Sequence, residues 1–376
     1  MAIRTIHIDT ARTWRGGQNQ ALLTVKGLRA LGHPTMLVAH PDGELRRRAP
    51  QDTDLVPLAP RFEVDFHAAW KLARIIRACE PAILHAHDPH GVALAALALG
   101  FRIASPPLLV ASRRVDFRLA GNTLSRAKYR RVDRFICASA AIGQILAAGG
   151  VERDRIVTVH EGVDLQHVAD APPVSLHETF WLPRGAPVVL NVAALVPHKG
   201  QRHLIEAFAE VVRTVPDARL VILGQGELHD ALVKQVQHLG LEKHVLLPGF
   251  RTDVLSLMKT ADIFVMSSVM EGLGTSLLDA MACARPIVAT DTGGIPEVVL
   301  HDETGLLVPP RDAGALAEAL ILLLRDEDRA RQLGAAGYER VHHRFTVEHM
   351  VNETVTVYDA LLAGRHGQGR RPPSSP

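Results

Sequence analysis

Cysteine is scarce in this chain. Three occur in 376 residues, Cys79, Cys137 and Cys283, far apart and without metal-ligand or redox spacing, so neither a disulfide scaffold nor a zinc module is expected and a reducing cytoplasm fits. Charge of one sign is also lacking. Lys and Arg total 42 against 40 Asp and Glu, a net +2, so no global field marks a nucleic-acid binder. No long apolar run occurs either: the longest, Val92 to Phe101, is about half the ~20 residues a membrane-spanning helix needs. The first residues carry no basic region, apolar stretch and cleavage site, so no secretory signal is expected. A GxGxxG fingerprint is missing after the first strand, which counts against an NAD-binding domain.

What is present suits a globular protein. With 47% hydrophobic and 22% charged residues, the chain has enough apolar surface to fold, and its length suits two domains of roughly 150 to 200 residues. Short β-rich runs alternate with longer helical patterns, the signature of parallel sheets covered by helices. Strands are predicted at 3–9, 35–39, 82–87, 108–112, 134–138 and 155–159. A second series follows at 188–193, 219–223, 244–247, 262–266, 286–290 and 305–308. Between the first two strands a helix is predicted from about Gln18, with Leu22, Val25, Leu28 and Leu31 at helical spacing and a stop at Gly32. The expected organisation is an N-terminal domain at 1–168, a Pro-rich connection at 169–186, a second domain at 187–345, a final helix at 346–363 packing back on the first domain, and a disordered tail at 364–376. The fold class is α/β: two doubly wound Rossmann-like domains whose parallel sheets face each other across a cleft, with ligands at the carboxyl ends of the strands.

The junctions after the strands hold the candidate chemistry. Gly16 and Gly17 precede the first helix, where free N–H groups and the helix dipole attract an anion; a plain turn is the other reading. After the first strand of the second series, Lys199 starts a helix, fit to hold a diphosphate unless it is only a solvated surface lysine. Gly224 and Gly226 sit at the next strand end, where close approach of a ligand is permitted. The segment from Ser267 to Glu297 is the richest. Glu271 lies in a loop, Gly272 and Gly274 free the backbone, Thr275 and Ser276 stand where a helix is capped, and Asp279 follows one turn inside. Two acids near a helix start can bind sugar or ribose hydroxyls while N–H groups take phosphate. Helix capping alone explains one of the acids.

These segments, with LVPHKG, LGQGEL, LPGFRTDV and TGLLVPP in the same order, resemble the donor-binding domain of family 4 retaining glycosyltransferases of the GT-B fold. The first domain is similar too, through WRGGQNQ, GLRALGH, ILHAHDPHG, DRFICASAAIGQIL and EGVD. The resemblance covers the chain to about Leu362. It implies that Glu271 contacts the transferred sugar, Asp279 the ribose, Lys199 the diphosphate, Gly17 the same diphosphate from the first domain, and His87 the reacting sugar. Leu273, Gly274 and Thr275 would offer backbone N–H groups. The activity implied is transfer of a sugar from a UDP- or GDP-linked donor to a saccharide or lipid-linked acceptor, in cell-surface glycan biosynthesis, by a cytoplasmic enzyme at the inner face of the membrane. The nucleotide sugar is a co-substrate; no cofactor and no metal is required.

Three positions depart from the family pattern. Asp279 replaces a Glu. Ala194 stands where an Arg usually shares the diphosphate with the Lys, a loss worth about 2 to 4 kcal/mol of leaving-group stabilisation if no donor replaces it; Arg202 and Arg251 are the candidate replacements. Glu161 stands where Asn is common, at the domain connection. Catalytic impairment, leaving a nucleotide-sugar-binding protein, is therefore a second reading, and a sugar-nucleotide epimerase sharing the fold is another.

Two further patterns resemble metal sites. Asp52-Thr53-Asp54 is a DxD in a Pro-rich loop, where a polar turn is the ordinary reading. His85, His87, Asp88 and His90 invite comparison with a zinc hydrolase, although on a strand His85 and His87 share one face and can simply line a cleft. Finally, residues 102 to 134 hold nine Lys or Arg against two Asp. Arg113, Arg114, Arg118, Lys128 and Arg131 are the expected contacts to an anionic membrane surface or a charged acceptor, a solvated helix face being the plain alternative. Nucleic acid is not expected, since no reading motif accompanies the charge.

Overall fold

The computed structural model describes residues 2–115 and 123–368. The chain divides into two units, 1–162 with 347–376, and 163–346. In the first, strands β1 (Thr5–Asp9), β2 (Thr35–Ala39), β3 (Asp54–Pro57), β4 (Ile83–Ala86), β5 (Leu108–Arg113), β6 (Arg134–Cys137) and β7 (Ile156–Thr158) form one parallel sheet in the order β3-β2-β1-β4-β5-β6-β7. In the second, β8 (Val188–Val192), β9 (Arg219–Leu223), β10 (Val245–Gly249), β11 (Ile263–Met266), β12 (Ile287–Thr290) and β13 (Leu306–Val308) form another in the order β10-β9-β8-β11-β12-β13. Central strands such as β1 and β11 are buried along their whole length, as strands covered by helices on both faces must be.

Each order reverses at one place. It does so between β1 and β4 in the first sheet and between β8 and β11 in the second, and crevices open at the carboxyl ends of such strand pairs. His7 and His85 stand side by side across the first reversal.

The first unit is closed by the helix Val347–Gln368. Met350, Val351 and Tyr358 from it pack with Leu28, Ile83, Val110 and Ile136 in one core. The Gly16–Ala30 helix approaches so closely that a Cβ at Gly27 would lie 2.4 Å from Val351 Cγ2.

Several expectations change. The segment 169–186 is no free connection, since Leu176 is fully buried, Val174 N–H donates to Ser256 O at 3.0 Å and Thr260 Oγ1 donates to Val174 O at 2.8 Å. It belongs to the second unit, whose boundary falls at 163. The last helix continues past 363 to Gln368, and the rest of the expected tail, 369–376, lies outside the described residues. Gly16 and Gly17 are the first residues of their helix, with Arg15 at the N-cap. Asp54 opens the edge strand β3, and Asp52 pairs with Arg29 at 2.9 Å, so the DxD acids are parted between a strand and an ion pair. Among the described residues no helix is long and apolar enough to cross a membrane.

Candidate functional site

In the second unit the strand reversal gathers the predicted acid and cation. After β8 the chain makes a tight turn, Pro197–Lys199, and then enters the helix Gln201–Thr214. The turn is tied to the end of β11: Ser267 Oγ donates to Lys199 O at 3.1 Å, and Val269 N–H donates to His198 O at 2.8 Å. Glu271 lies in the loop that follows. Lys199 Nζ is 2.5 Å from Glu271 Oε2, and Ser268 Oγ donates to the same oxygen at 2.9 Å. Glu271 is 9% exposed, so this carboxylate is oriented by two donors in a partly dry setting, where charge counts for more than in water.

The backbone of Glu271 is cradled as well. Gly294 N–H donates to Glu271 O at 3.2 Å, and a Cβ at Gly293, where φ is 56°, would lie 1.8 Å from that oxygen. No residue but glycine fits there.

The helix Thr275–Ala282 begins after Gly274, whose φ of 90° turns the chain into it, and no side chain caps it. Thr275 and Ser276 are therefore not caps; Ser276 Oγ donates instead to Val192 O at 3.2 Å, bolting the helix start to the end of β8. First-turn N–H groups of a helix have no partner within it. Leu273, next to this turn, is buried. Asp279 lies one turn in, and burial raises its carboxyl to about 7.

Gly224 and Gly226 are required by the packing of the chain against itself. A Cβ at either would strike the backbone of the neighbouring loop, 1.9 Å from Ala193 O and 2.3 Å from Leu195 O, so they let two chain segments touch each other. Ala194, in that loop, accepts from Gln201 Nε2 at 2.9 Å. The candidate replacement cations are engaged elsewhere, Arg251 with Asp253 at 2.5 Å and Arg202 with Glu206 at 3.7 Å.

In the first unit the strand reversal gathers polar groups that the sequence does not place together. His7, His85 and His87 are buried, with neighbouring ring centroids 4.2 to 5.1 Å apart. His85 is bonded through Nδ1 to Tyr358 Oη at 2.6 Å and through Nε2 to Ser112 Oγ at 2.8 Å. His87 Nδ1 lies 3.0 Å from Arg114 Nη1, and its Nε2 lies 2.8 Å from His7 Nδ1. Arg114 Nε is 3.0 Å from Glu161 Oε1. Burial holds all three imidazoles below their ordinary range, His7 at about 3, with the guanidinium adding to it at His7 and the neighbouring imidazoles and then the guanidinium at His85 and His87. Asp9 ends β1, accepts from Ala11 N–H and Gln18 Nε2, and is raised to about 6 by burial and by the charge of Asp88.

The proposed zinc set does not assemble. Asp88 caps the helix Pro89–Ala98 through Gly91 N–H and binds Thr10, while His90 is exposed and pairs with Glu63 at 3.2 Å. The three close histidines are His7, His85 and His87, and a cation among them would face the Arg114 guanidinium and displace the bonds just described.

The basic surface is likewise redistributed. Arg113 is 9% exposed and Arg114 belongs to the interior chain above. Lys128 pairs with Glu63 at 2.6 Å, Arg131 is exposed and donates to Ala96 O, and Arg118 lies outside the described residues. Beyond the expected residues, the structure adds Ser268 and Gly293 to the second unit's site and His7, Asp9 and Glu161 to the first, where Arg114, expected on the basic surface, joins them. The departure at Glu161 was their only sequence signal.

Comparisons with known proteins agree over nearly the whole chain. Residues 177–340 match the family described as glycosyl transferases group 1, and residues 14–167 match glycosyltransferase family 4. N-acetyl-alpha-D-glucosaminyl L-malate synthase of Bacillus anthracis is 28% identical over 315 residues, 81% of each chain. A GDP-mannose-dependent alpha-(1-6)-phosphatidylinositol monomannoside mannosyltransferase of Mycobacterium tuberculosis is 40% identical over 164 residues, 41% of this chain and 43% of that one. Among solved structures, Anabaena Alr3699/HepE in complex with UDP superposes with a TM-score of 0.82 at 19% identity, over 95% of this chain and 100% of the other.

Proposed function

The chain belongs to the family 4 glycosyltransferases of the GT-B fold, and from that premise we propose that it transfers a sugar from a UDP- or GDP-linked donor to a saccharide or lipid-linked acceptor. Configuration at the anomeric carbon is retained and no metal ion is used. The observation that carries the reading is the Lys199–Glu271 pair at the strand reversal of the second sheet. There a cation and an oriented carboxylate stand beside a helix start, the groups needed for a leaving diphosphate and for the hydroxyls of the sugar attached to it.

In this reading Lys199 and the N–H groups around Gly274 and Thr275 take the charge that develops on the diphosphate, the role of an oxyanion hole. Glu271 accepts from sugar hydroxyls, and Asp279 from the ribose. On the first unit, the opening turn at Gly16 and Gly17 offers further N–H groups, and His87 orients the sugar. The acceptor oxygen bonds to the anomeric carbon on the face from which the diphosphate departs. The C–O bond to phosphate breaks, and the acceptor proton passes to the departing phosphate oxygen, so charge and protons balance without a protein base. Both ring nitrogens of His87 are already bonded, so His87 moves no proton and meets the sugar only through the body of its ring or its backbone.

Support for the nucleotide comes from relatives: the Anabaena protein binds UDP, and the mycobacterial enzyme depends on GDP-mannose. Ala194 motivates the second reading, a nucleotide-sugar binder that has lost transfer. Incubation with UDP- and GDP-sugars and a panel of saccharide and lipid-linked acceptors separates the two. Transfer that falls at least ten-fold in Lys199→Ala supports the enzyme, and binding without turnover across the panel contradicts it.

A further inference from the structure

Arginine has only donors and stays protonated in proteins. Because Arg114 Nη1 lies 3.0 Å from His87 Nδ1, that ring nitrogen must be the acceptor. The single proton of a neutral imidazole then sits on Nε2, which faces His7 Nδ1 at 2.8 Å. His87 is therefore the donor to His7, and the proton of His7 is displaced to its own Nε2, a buried atom with no hydrogen-bond partner among the described residues. Arg114 is fixed in turn by Glu161, 3.0 Å away and 7% exposed. A one-way chain runs from Glu161 through Arg114 and His87 to His7. Reversing any link would set two donors against each other or strand a guanidinium without its counterion.

We infer that Arg114 and Glu161, with His7, are positioning residues for glycosyl transfer: they fix His87 as the Nε2–H tautomer and lock its ring at the carboxyl end of β4. The inference rests on the proposed reading that His87 lies beside the reacting sugar.

The surroundings reinforce the lock. His7 and Asp9 face it from β1, His85 and Asp88 from β4 and its end, and Tyr358 from the last helix, while Arg114 and Glu161 complete the set. Burial penalises charge on the imidazole, and His85, Arg114 and His7 add repulsion, so a second proton on His87 is disfavoured. A Cβ at Gly17 would lie 3.6 Å from Arg114 Cδ. The arginine stem thus runs beneath the first helical turn, joining the two parts of this unit expected to meet substrate. The chain also explains the acid at 161, which supplies the counterion Arg114 needs.

The test reads the tautomer and the reaction separately. Histidine-selective 15N labelling of the full chain, with His87 assigned by its loss in His87→Gln, should show His87 protonated at Nε2, unprotonated at Nδ1 and unchanged from pH 6 to 8. In Arg114→Ala and in the milder Glu161→Gln the Nδ1–H form or a titrating signal should emerge. Turnover should fall ten-fold or more in Arg114→Ala with donor KM moved less than three-fold, a slope should enter its pH–rate profile on the acid side, and Arg114→Lys should recover part of the rate. Wild-type His87 found as the Nδ1–H tautomer, or titrating in that range, overturns the inference. So does an altered tautomer with unchanged kcat. Failure of the wild-type chain to transfer any sugar, with the tautomer as stated, refutes the proposed function instead.

Discussion

Lys199 Nζ lies 2.5 Å from Glu271 Oε2, although the two residues are 72 apart in sequence. The cation expected to receive a diphosphate and the acid expected to receive a sugar are bonded to each other. A bound donor must exchange that ion pair for its own phosphate and hydroxyl groups.

It follows that Glu271→Gln should separate binding from reaction. Removing the competing carboxylate frees Lys199 for phosphate, so UDP or GDP should bind several-fold more tightly by calorimetry, while transfer falls by two orders of magnitude or more. Weaker nucleotide binding in this variant would show that Glu271 itself holds the nucleotide.

Gly293→Ala is the backbone test of the same site. The new Cβ would sit 1.8 Å from Glu271 O in a left-handed conformation, so the loop must shift, at a cost on the order of 1–3 kcal/mol. Donor KM should rise at least ten-fold with far-UV circular dichroism unchanged. A normal KM would mean that the loop bearing Glu271 has slack.

Much of this was legible in the sequence and some was not. Every buried central strand appeared as a short apolar run between helical patterns, because burial on both faces leaves little choice of residue. The edge strand β3 did not: its residues, Asp-Leu-Val-Pro, are partly exposed and end in proline. The 169–186 segment read as a connection because proline breaks periodicity. Its burial depends on partners such as Ser256 and Thr260 that lie 80 or more residues away. Lys199 and Glu271 could be named from local context and resemblance. The chain from Glu161 to His7 could not, since it exists only through the pairing of β1 with β4 and the return of the chain beside β5. Arg114 looked like one more surface charge for the same reason.

Asp279 carries a pH prediction. Burial raises its carboxyl from 3.8 to about 7, so the native state binds this proton more tightly than the unfolded chain. Its contribution to stability is full below about pH 4, is lost as pH rises toward 7, and is level above. Relative to wild type, Asp279→Asn should gain stability between pH 4 and 7 in denaturant titrations. If the ionised form accepts from ribose, nucleotide affinity in wild type should rise between pH 6 and 8 more steeply than in the variant. Parallel pH profiles would remove Asp279 from the ribose site.

Tyr358→Phe tests the closure of the first unit. Removing the hydroxyl leaves His85 Nδ1 buried without its 2.6 Å partner, worth about 1–3 kcal/mol. Amides of the Val347–Gln368 helix should exchange faster, and those of the second unit should not. Uniform protection would mean that the hydroxyl contributes nothing.

The central claim is that Lys199 is the main side-chain cation for the donor's diphosphate. Calorimetric titration of UDP and GDP into the wild-type protein and into Lys199→Ala tests it most directly. At least ten-fold weaker binding of the preferred nucleotide in the variant, with an unchanged fold, is the predicted result; equal affinity in the two proteins would contradict the account.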